Sequence, residues 1–450
     1  MSSIKSVIHF SPGRVILLSL LATIGLGTLF LSLPIARVKP ISIIDLFFTA
    51  TSTACVTGIF TVPLDSFSPF GHTVLMILMQ IGGIGLITLT LFLLSLFVNF
   101  GFAQQILAGQ LLELESWKQI KQIIIFITLF TLGIEALGAL SFYPIFNNMF
   151  GPERAAFYAV FHSISSFCNA GISLFPNSLE LFRSQYIFLF ITGLLMIIGA
   201  LGFITWKEIF YYIKAFNRKK RYTFSLHSRI VLYSTCSAIL VATLLYFILE
   251  QCINFSDTTY LNRICTAFFQ AASYRSGGYT TIPINSLALP TLFVTLFVMF
   301  MGSSPGSTGG GVKITSIIIF MATIKAAVTD NEEVEIRGRS LPLDLVYRAI
   351  AIVALGILWI CISTLLLLVS ERTADLMSVL LESVSAFTNV GISRGLTQHL
   401  SDFGKFLIML SMIIGRIGSL TLILALREMA LRKSPEAKSF SYPEERVMLG

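Results

Sequence analysis

Charge is what this sequence has least of. Only 12% of its 450 residues are Asp, Glu, Lys or Arg, about half the ~25% of soluble globular domains. With 55% apolar residues and a mean hydropathy of +0.84, the chain excludes a water-soluble fold. Histidine is scarce as well: His9, His72, His162, His227 and His399 fall in unrelated contexts, which excludes a histidine-based metal or catalytic constellation. The six cysteines, at positions 55, 168, 236, 252, 265 and 361, form no C-x-x-C pair and have no histidine at metal-ligand spacing. They read as small buried apolar residues. No clustering of His, Asp, Glu or Ser/Lys at helical spacing offers an intramembrane enzyme, so an enzyme is not expected.

What the sequence has in quantity is long apolar runs. Stretches near or above the ~20 residues that cross a bilayer begin around Val15, Leu75, Ile120, Ile187, Ile230, Thr291, Ala349 and Phe406, which makes eight spans. The first follows Arg14 and runs to Leu33, ending in "PIARVKP" rather than a small-residue cleavage site, so it reads as a mature helix. The net charge of +8 is uneven: Lys214, Arg218, Lys219, Lys220, Arg221 and Arg229 crowd one connection, and Arg427, Arg432, Lys433, Lys438 and Arg446 the tail. The excess of positive charge on cytoplasmic loops puts both on the inner side. Eight spans then leave both termini in the cytoplasm and the protein in the cell (inner or plasma) membrane, in contact with lipid and not with nucleic acid.

Four short segments align on a glycine: "STACVTGIF" at Gly58, "SSFCNAGIS" at Gly171, "ASYRSGGYT" at Gly278 and "SAFTNVGIS" at Gly391, spaced by 113, 107 and 113 residues. Each follows a moderately apolar stretch of about a dozen residues, "SIIDLFFTATS" in the first copy, which at 1.5 Å per residue reaches only about halfway through a bilayer. A second glycine cluster follows 24, 28, 24 and 24 residues later, at Gly82, Gly199, Gly302 and Gly415. Taken alone these read equally well as helix-packing glycines. The expected fold is an all-α integral membrane protein of four tandem helix–pore-loop–helix repeats, eight spans plus four re-entrant half-helices, in pseudo-fourfold arrangement around one pore. The repeats are set at 10–100, 117–216, 226–330 and 344–430, with a cytoplasmic tail at 431–450.

Polar, non-helical backbone at membrane depth is tolerated only where it is buried in protein or lines water. Four half-helices pointing their C-terminal ends, each with about half a negative charge, toward one axis favour a cation. The glycine after each accepts positive φ and lets carbonyl oxygens turn inward, where a ring of them can replace an ion's hydration shell.

These loops resemble the four filter loops of the Trk/Ktr/HKT superfamily of potassium transporters, over nearly the whole chain. With no extra helix pair ahead of "SPGRVILL", the resemblance is strongest to the KtrB-type membrane subunit. It implies that Val56, Thr57, Gly58, Asn169, Ala170, Gly171, Ser276, Gly277, Gly278, Asn389, Val390 and Gly391 line a potassium filter, mainly through backbone oxygens. Serine at the first glycine goes with sodium preference in that family, so Gly58 argues for potassium. The third loop departs from the family's Arg-Thr-Ala-Gly-Phe, reading Arg275, Ser276, Gly277, Gly278 and Tyr279. The resemblance further implies no cofactor in this chain, potassium as transported ion, sodium as possible activator, a homodimer with one pore per protomer, and a cytoplasmic nucleotide-binding regulatory ring as partner. The alternative within transport is a Trk-type or sodium-permeable cation transporter. A multi-span receptor or scaffold is the alternative outside it, and leaves the fourfold repeat unexplained.

One stretch, "MGSSPGSTGGGVKIT", comes within a residue of a phosphate-binding loop. Val312 separates Gly311 from Lys313, Thr315 is displaced, and both flanks belong to one membrane span, which removes the nucleotide reading. Gly302, Pro305, Gly306 and Gly309 to Gly311 instead predict a broken helix at 302–312, its backbone and Ser303, Ser304, Ser307 and Thr308 solvated by a water-filled path below the filter. The resemblance implies that this loop gates the pore, with Lys313 beside it and Arg416 facing it. The second helices of the other three repeats are expected to continue through their glycines.

Ionisable residues inside a membrane are functional candidates. Glu135 and Glu382 read as relays or as carboxyls bonded to a neighbouring helix. Arg275 reads as a buttress bonded to backbone carbonyls of its loop, and Asp45 as the cap of the first half-helix.

Overall fold

The computed structural model describes residues 12–84, 117–219, 221–251, 259–331, 333–418 and 421. The tail at 431–450 and the basic residues counted there lie outside them. Helices account for nearly all of the described regular structure, and their polarity is inverted relative to a soluble protein. Leu129, Leu137 and Leu140 are exposed, while Thr49, Thr51, Thr53, Ser163, Ser165 and Ser166 are buried. That is the pattern of a helical protein whose solvent is hydrocarbon.

Four groups of three helices follow along the chain. The first is α1 (Pro12–Ser32), α2 (Ile43–Ala54) and α3 (Pro69–Ile84); the second is α4 (Trp117–Phe150), α5 (Pro152–Phe167) and α6 (Tyr186–Ala200), extended by α7 (Phe203–Asn217). The third is α8 (Leu226–Glu250), α9 (Tyr260–Ala272) and α10 (Leu289–Phe300), extended by α11 (Ile314–Val328); the fourth is α12 (Leu343–Ser370), α13 (Leu376–Thr388) and α14 (Asp402–Ile417). Each expected span start falls on or within a residue or two of one of these helices. Among the described residues three helices are long and apolar enough to cross a membrane alone, and α6 with α7 make a fourth if taken as one bent span.

The half-length helices are α2, α5, α9 and α13, of 12, 16, 13 and 13 residues. Their starts are written locally. Ser42 accepts the Asp45 amide at the head of α2, Pro152 opens α5 after Gly151, and Asp375 accepts the Ser378 amide of α13. The cap of α2 is therefore Ser42 rather than Asp45, whose carboxylate accepts the Ser42 hydroxyl and pairs with Lys405 of α14 at 2.8 Å. Hydroxyls inside α2 turn back onto the helix, Thr49 to Asp45 O, Thr51 to Phe47 O and Thr53 to Thr49 O, so they are buried without loss of hydrogen bonds.

Between groups one contact recurs. α3 packs on α5, α6 on α9, α10 on α13, and α14 back on α2. In every case the third helix of one group covers the half-helix of the next, and the series returns to its start.

The second helices do not all continue. α6 and α7 meet at 100°, and Gly202 at the corner has φ 84°. Gly418 at the end of α14 has φ 93°. The second glycine of each pair supplies a left-handed residue that other side chains resist, so helix breaking is shared by the second and fourth groups with the third. The chain also carries a hairpin that the all-helical expectation lacks. Glu335–Ile336 (β1) pairs with Arg339–Ser340 (β2) around Arg337 and Gly338, both at positive φ, as two-residue hairpin turns require.

Candidate functional site

Each half-helix ends in a loop held by one serine. The Ser52, Ser165, Ser273 and Ser385 carbonyls accept the amides of Thr57, Ala170, Gly278 and Val390 at 2.8 to 3.1 Å. Their hydroxyls reach further along the same loops, accepting from Gly58 N, Ile172 N and Gly391 N, and in the third loop donating to Tyr279 O. This quartet was absent from the expected site residues. Its signal is in the sequence: a serine lies six residues before the glycine in three copies and five before it in the third.

Gly58, Gly171, Gly278 and Gly391 all have positive φ, between 65° and 97°. Each also faces the next loop with no room for a side chain. A Cβ on Gly58 would strike the carbonyl oxygen of Ala170, one on Gly171 that of Gly277, one on Gly278 that of Val390, and one on Gly391 that of Thr57. Thr57, Ala170, Gly277 and Val390 are the residues just before the four glycines, so the loops touch head to tail in a closed circle. The amide of Asn389 donates to the Thr57 hydroxyl at 2.8 Å, and the Ser276 hydroxyl to Asn169 Oδ1 at 2.8 Å, adding side-chain ties between loops.

Two residues before the glycine, Asn169 and Asn389 adopt left-handed backbone at φ 59° and 55°. Their amides anchor to the following helix, at Met196 O and Met412 O. In the first loop that place is taken by Val56, at φ 58°. A β-branched residue there costs roughly 1–2 kcal/mol relative to ordinary backbone. Met79, three residues before Gly82, stands where Met196 and Met412 stand before Gly199 and Gly415. Val56→Asn is expected to stabilise the protein by about 1 kcal/mol, read as a raised thermal midpoint in detergent; an unchanged or lowered midpoint would show that no amide anchor forms. The third loop solves the same problem differently, with a π-helical turn over Ser273–Gly277 in place of a left-handed residue before Gly278.

Against these loops lies the break between α10 and α11. Its backbone is knitted into two of the other groups, the second and the fourth. Ser304 N donates to Ala200 O and Thr308 N to Gly199 O, Gly306 O accepts from Phe203 N, and Gly311 N donates to Gly415 O. The hydroxyls of Ser304, Ser307 and Thr308 reach Ala200 O, Ser304 O and Phe167 O. Protein carbonyls therefore satisfy three hydroxyls for which the sequence predicted water, while the buried Ser303 hydroxyl has no protein partner. A Cβ on Gly310 would meet the Asn389 side chain and one on Gly311 would meet Thr388, so this segment presses on the base of the fourth glycine loop. Gly302 and Gly309 are likewise hemmed in, by Gly310 O and the Ser303 side chain, while Pro305 O crowds Gly202.

Arg416 reaches across this floor. It donates to Thr308 O of the loop and to Gly82 O of α3, joining the third group to the first from the fourth. Lys313 donates to Gly309 O at 2.7 Å, within the loop. Arg275 is bonded to a carbonyl, as expected, but to Gly302 O at 3.3 Å, with Thr235 Oγ1 at 3.2 Å. It buttresses the break rather than its own glycine loop. Glu135 accepts from Gln80 of α3 at 2.9 Å and Glu382 from the Thr397 hydroxyl, both off the circle of glycines. Among the described residues no group of His, Cys, Asp or Glu is placed to hold a metal.

Helices with an apolar exterior, four hydroxyl-held glycine loops in contact and a broken helix beneath them are the parts of a membrane transporter, not of an enzyme. Comparison with known proteins agrees and narrows the class. Residues 19–441 match the family model TrkH, described as cation transport protein, and the chain belongs to that family. It is 34% identical to Ktr system potassium uptake protein B of Vibrio alginolyticus, over 97% of this chain and 94% of the relative. It is 31% identical to potassium/sodium uptake protein NtpJ of Enterococcus hirae, over 90% of each. The potassium transporter TrkH from Vibrio parahaemolyticus, a crystal structure, shares the fold with a TM-score of 0.74 at 21% identity, covering 94% of this chain and 86% of that one.

Proposed function

We propose that the protein takes up potassium across the cell membrane through a pore ringed by its four repeats in pseudo-fourfold order, with both termini in the cytoplasm. The repeats are those set at 10–100, 117–216, 226–330 and 344–430. The observation that carries the proposal is the closed circle in which each filter glycine abuts the carbonyl of the next loop. Only backbone oxygens from all four repeats at one level can replace a hydration shell evenly. Val56 to Gly58, Asn169 to Gly171, Ser276 to Gly278 and Asn389 to Gly391 form the filter. Gly302 to Gly311, with Lys313 and Arg416, form the gate, closed as it stands because the loop is bonded to the second and fourth repeats.

The likeness to a relative named as a subunit of a Ktr system supports a homodimer on a cytoplasmic nucleotide-binding regulatory ring, with sodium stimulating uptake. The name of the Enterococcus relative, a potassium/sodium uptake protein, favours a second reading in which sodium also permeates. Glycine rather than serine at position 58 weighs for potassium. The deciding measurement is uptake in cells lacking their own potassium importers, with and without sodium and a co-expressed regulatory subunit. Growth rescue on low potassium that increases with sodium is expected. No potassium uptake from a correctly inserted protein would overturn the proposal, and sodium uptake at a similar rate would select the second reading.

A further inference from the structure

The gate loop has a second connection, which leads away from the pore. The α6–α7 corner holds it from one side: Gly199 O and Ala200 O accept its amides, Phe203 N donates to Gly306 O, and a Cβ on Gly202 would strike Pro305 O. Trp206 braces the corner by donating Nε1 to Ile198 O at 2.8 Å. Displacing α7 therefore displaces the backbone to which the loop is bonded.

The helix itself is built for the edge of a bilayer. Turned 100° from α6, it runs close to the membrane plane if α6 crosses. Phe210, Tyr211, Tyr212 and Ile213 are consecutive and all exposed, as is Phe216. Four successive exposed residues at 100° steps take in more than one face of the helix, Phe210 resting in part on Phe126 and Tyr212 on Phe224, which suits the apolar boundary of a bilayer better than a protein partner on one face. Tyrosine and tryptophan gather at the membrane–water boundary. Between positions 207 and 229 there are seven Lys or Arg and one carboxylate, Glu208, and that carboxylate accepts the Ser225 amide at 3.0 Å.

We infer that α7 and the basic segment after it bind anionic phospholipid headgroups of the cytoplasmic leaflet, and that this contact sets the position of the gate loop. The aromatic ring fixes depth, and Lys207, Lys214, Arg218 and Lys219 supply the charge. The second half of the statement rests on the gate assignment; the first does not.

The test uses the full-length protein, wild type and a K207Q/K214Q/R218Q/K219Q variant, in vesicles of phosphatidylcholine with or without phosphatidylglycerol. Electron paramagnetic resonance of chain-labelled lipids reports association independently of transport. Wild type is expected to prefer phosphatidylglycerol, and the variant to lose that preference by on the order of fivefold or more. In parallel, potassium flux of the wild type should depend on phosphatidylglycerol, and flux of the variant should not. An equal lipid preference in the two proteins overturns the site, including the case in which the variant instead loses binding to a cytoplasmic subunit or to a second copy. A lost preference with flux still dependent on phosphatidylglycerol overturns the link to the gate. Absence of potassium flux in every vesicle would instead overturn the transport reading, while the resonance measurement still decides the lipid site.

Discussion

Replacing Gly58 with serine should admit sodium. The side chain enters a position with φ 86° and no free volume, where its Cβ meets the carbonyl oxygen of Ala170 in the neighbouring loop. Left-handed backbone costs a non-glycine residue roughly 1–2 kcal/mol, so the loop relaxes and the Ala170 carbonyl moves out of the circle. A ring that has lost one well-placed oxygen discriminates less by dehydration. The expected change is on the order of tenfold in the ratio of sodium to potassium uptake, equivalent to about 1.4 kcal/mol, measured by ion competition in reconstituted vesicles. An unchanged ratio would remove the filter assignment of that loop.

The largest gain of flux should come from releasing the gate. Arg416 donates to carbonyls of Thr308 and Gly82, and a hydrogen bond from a charged donor contributes roughly 1.5–3 kcal/mol. Arg416→Gln removes the charge and at least one of the two. If the open form is a minor state, a loss of that size raises its population by on the order of tenfold or more. Deleting Ser304 to Gly311 should go further, since it also removes the bonds to Gly199 O, Ala200 O and Gly415 O. The measurement is potassium flux per molecule of correctly folded protein, the fold checked by an unchanged gel-filtration profile. Equal or lower flux in both variants would mean that the loop is a strut rather than a barrier.

Much of this site is visible in the sequence because its parts are local. A run of apolar residues, a dozen-residue half-helix and a glycine in a hydroxyl-rich segment each depend on fewer than about twenty neighbours. The four copies at Gly58, Gly171, Gly278 and Gly391 reinforce one another. The loop serines were equally visible in principle, but hydroxyl residues are common around such glycines and only its bonds to Thr57 N and Gly58 N distinguish Ser52 from Thr51 and Thr53. The expectation that the other second helices continue failed at Gly202 and Gly418. A glycine within a membrane helix serves helix packing as readily as helix breaking, and the difference is set by what lies beside it. At Gly202 the neighbour is Pro305 of the break between α10 and α11.

By itself, then, the sequence determined a helical membrane protein, four copies of one glycine segment, the half-helices and the glycines that must take positive φ, because hydropathy, helix length and backbone freedom are properties of short windows. Only the tertiary structure decided the order in which the loops touch, the carbonyls that Arg275 and Arg416 hold, and the corner through which α7 reaches the break between α10 and α11. The bond from Arg416 to Gly82 joins residues 334 positions apart. Contacts of that range exist only after α14 has packed against α2 and closed the circle, and no local pattern encodes them.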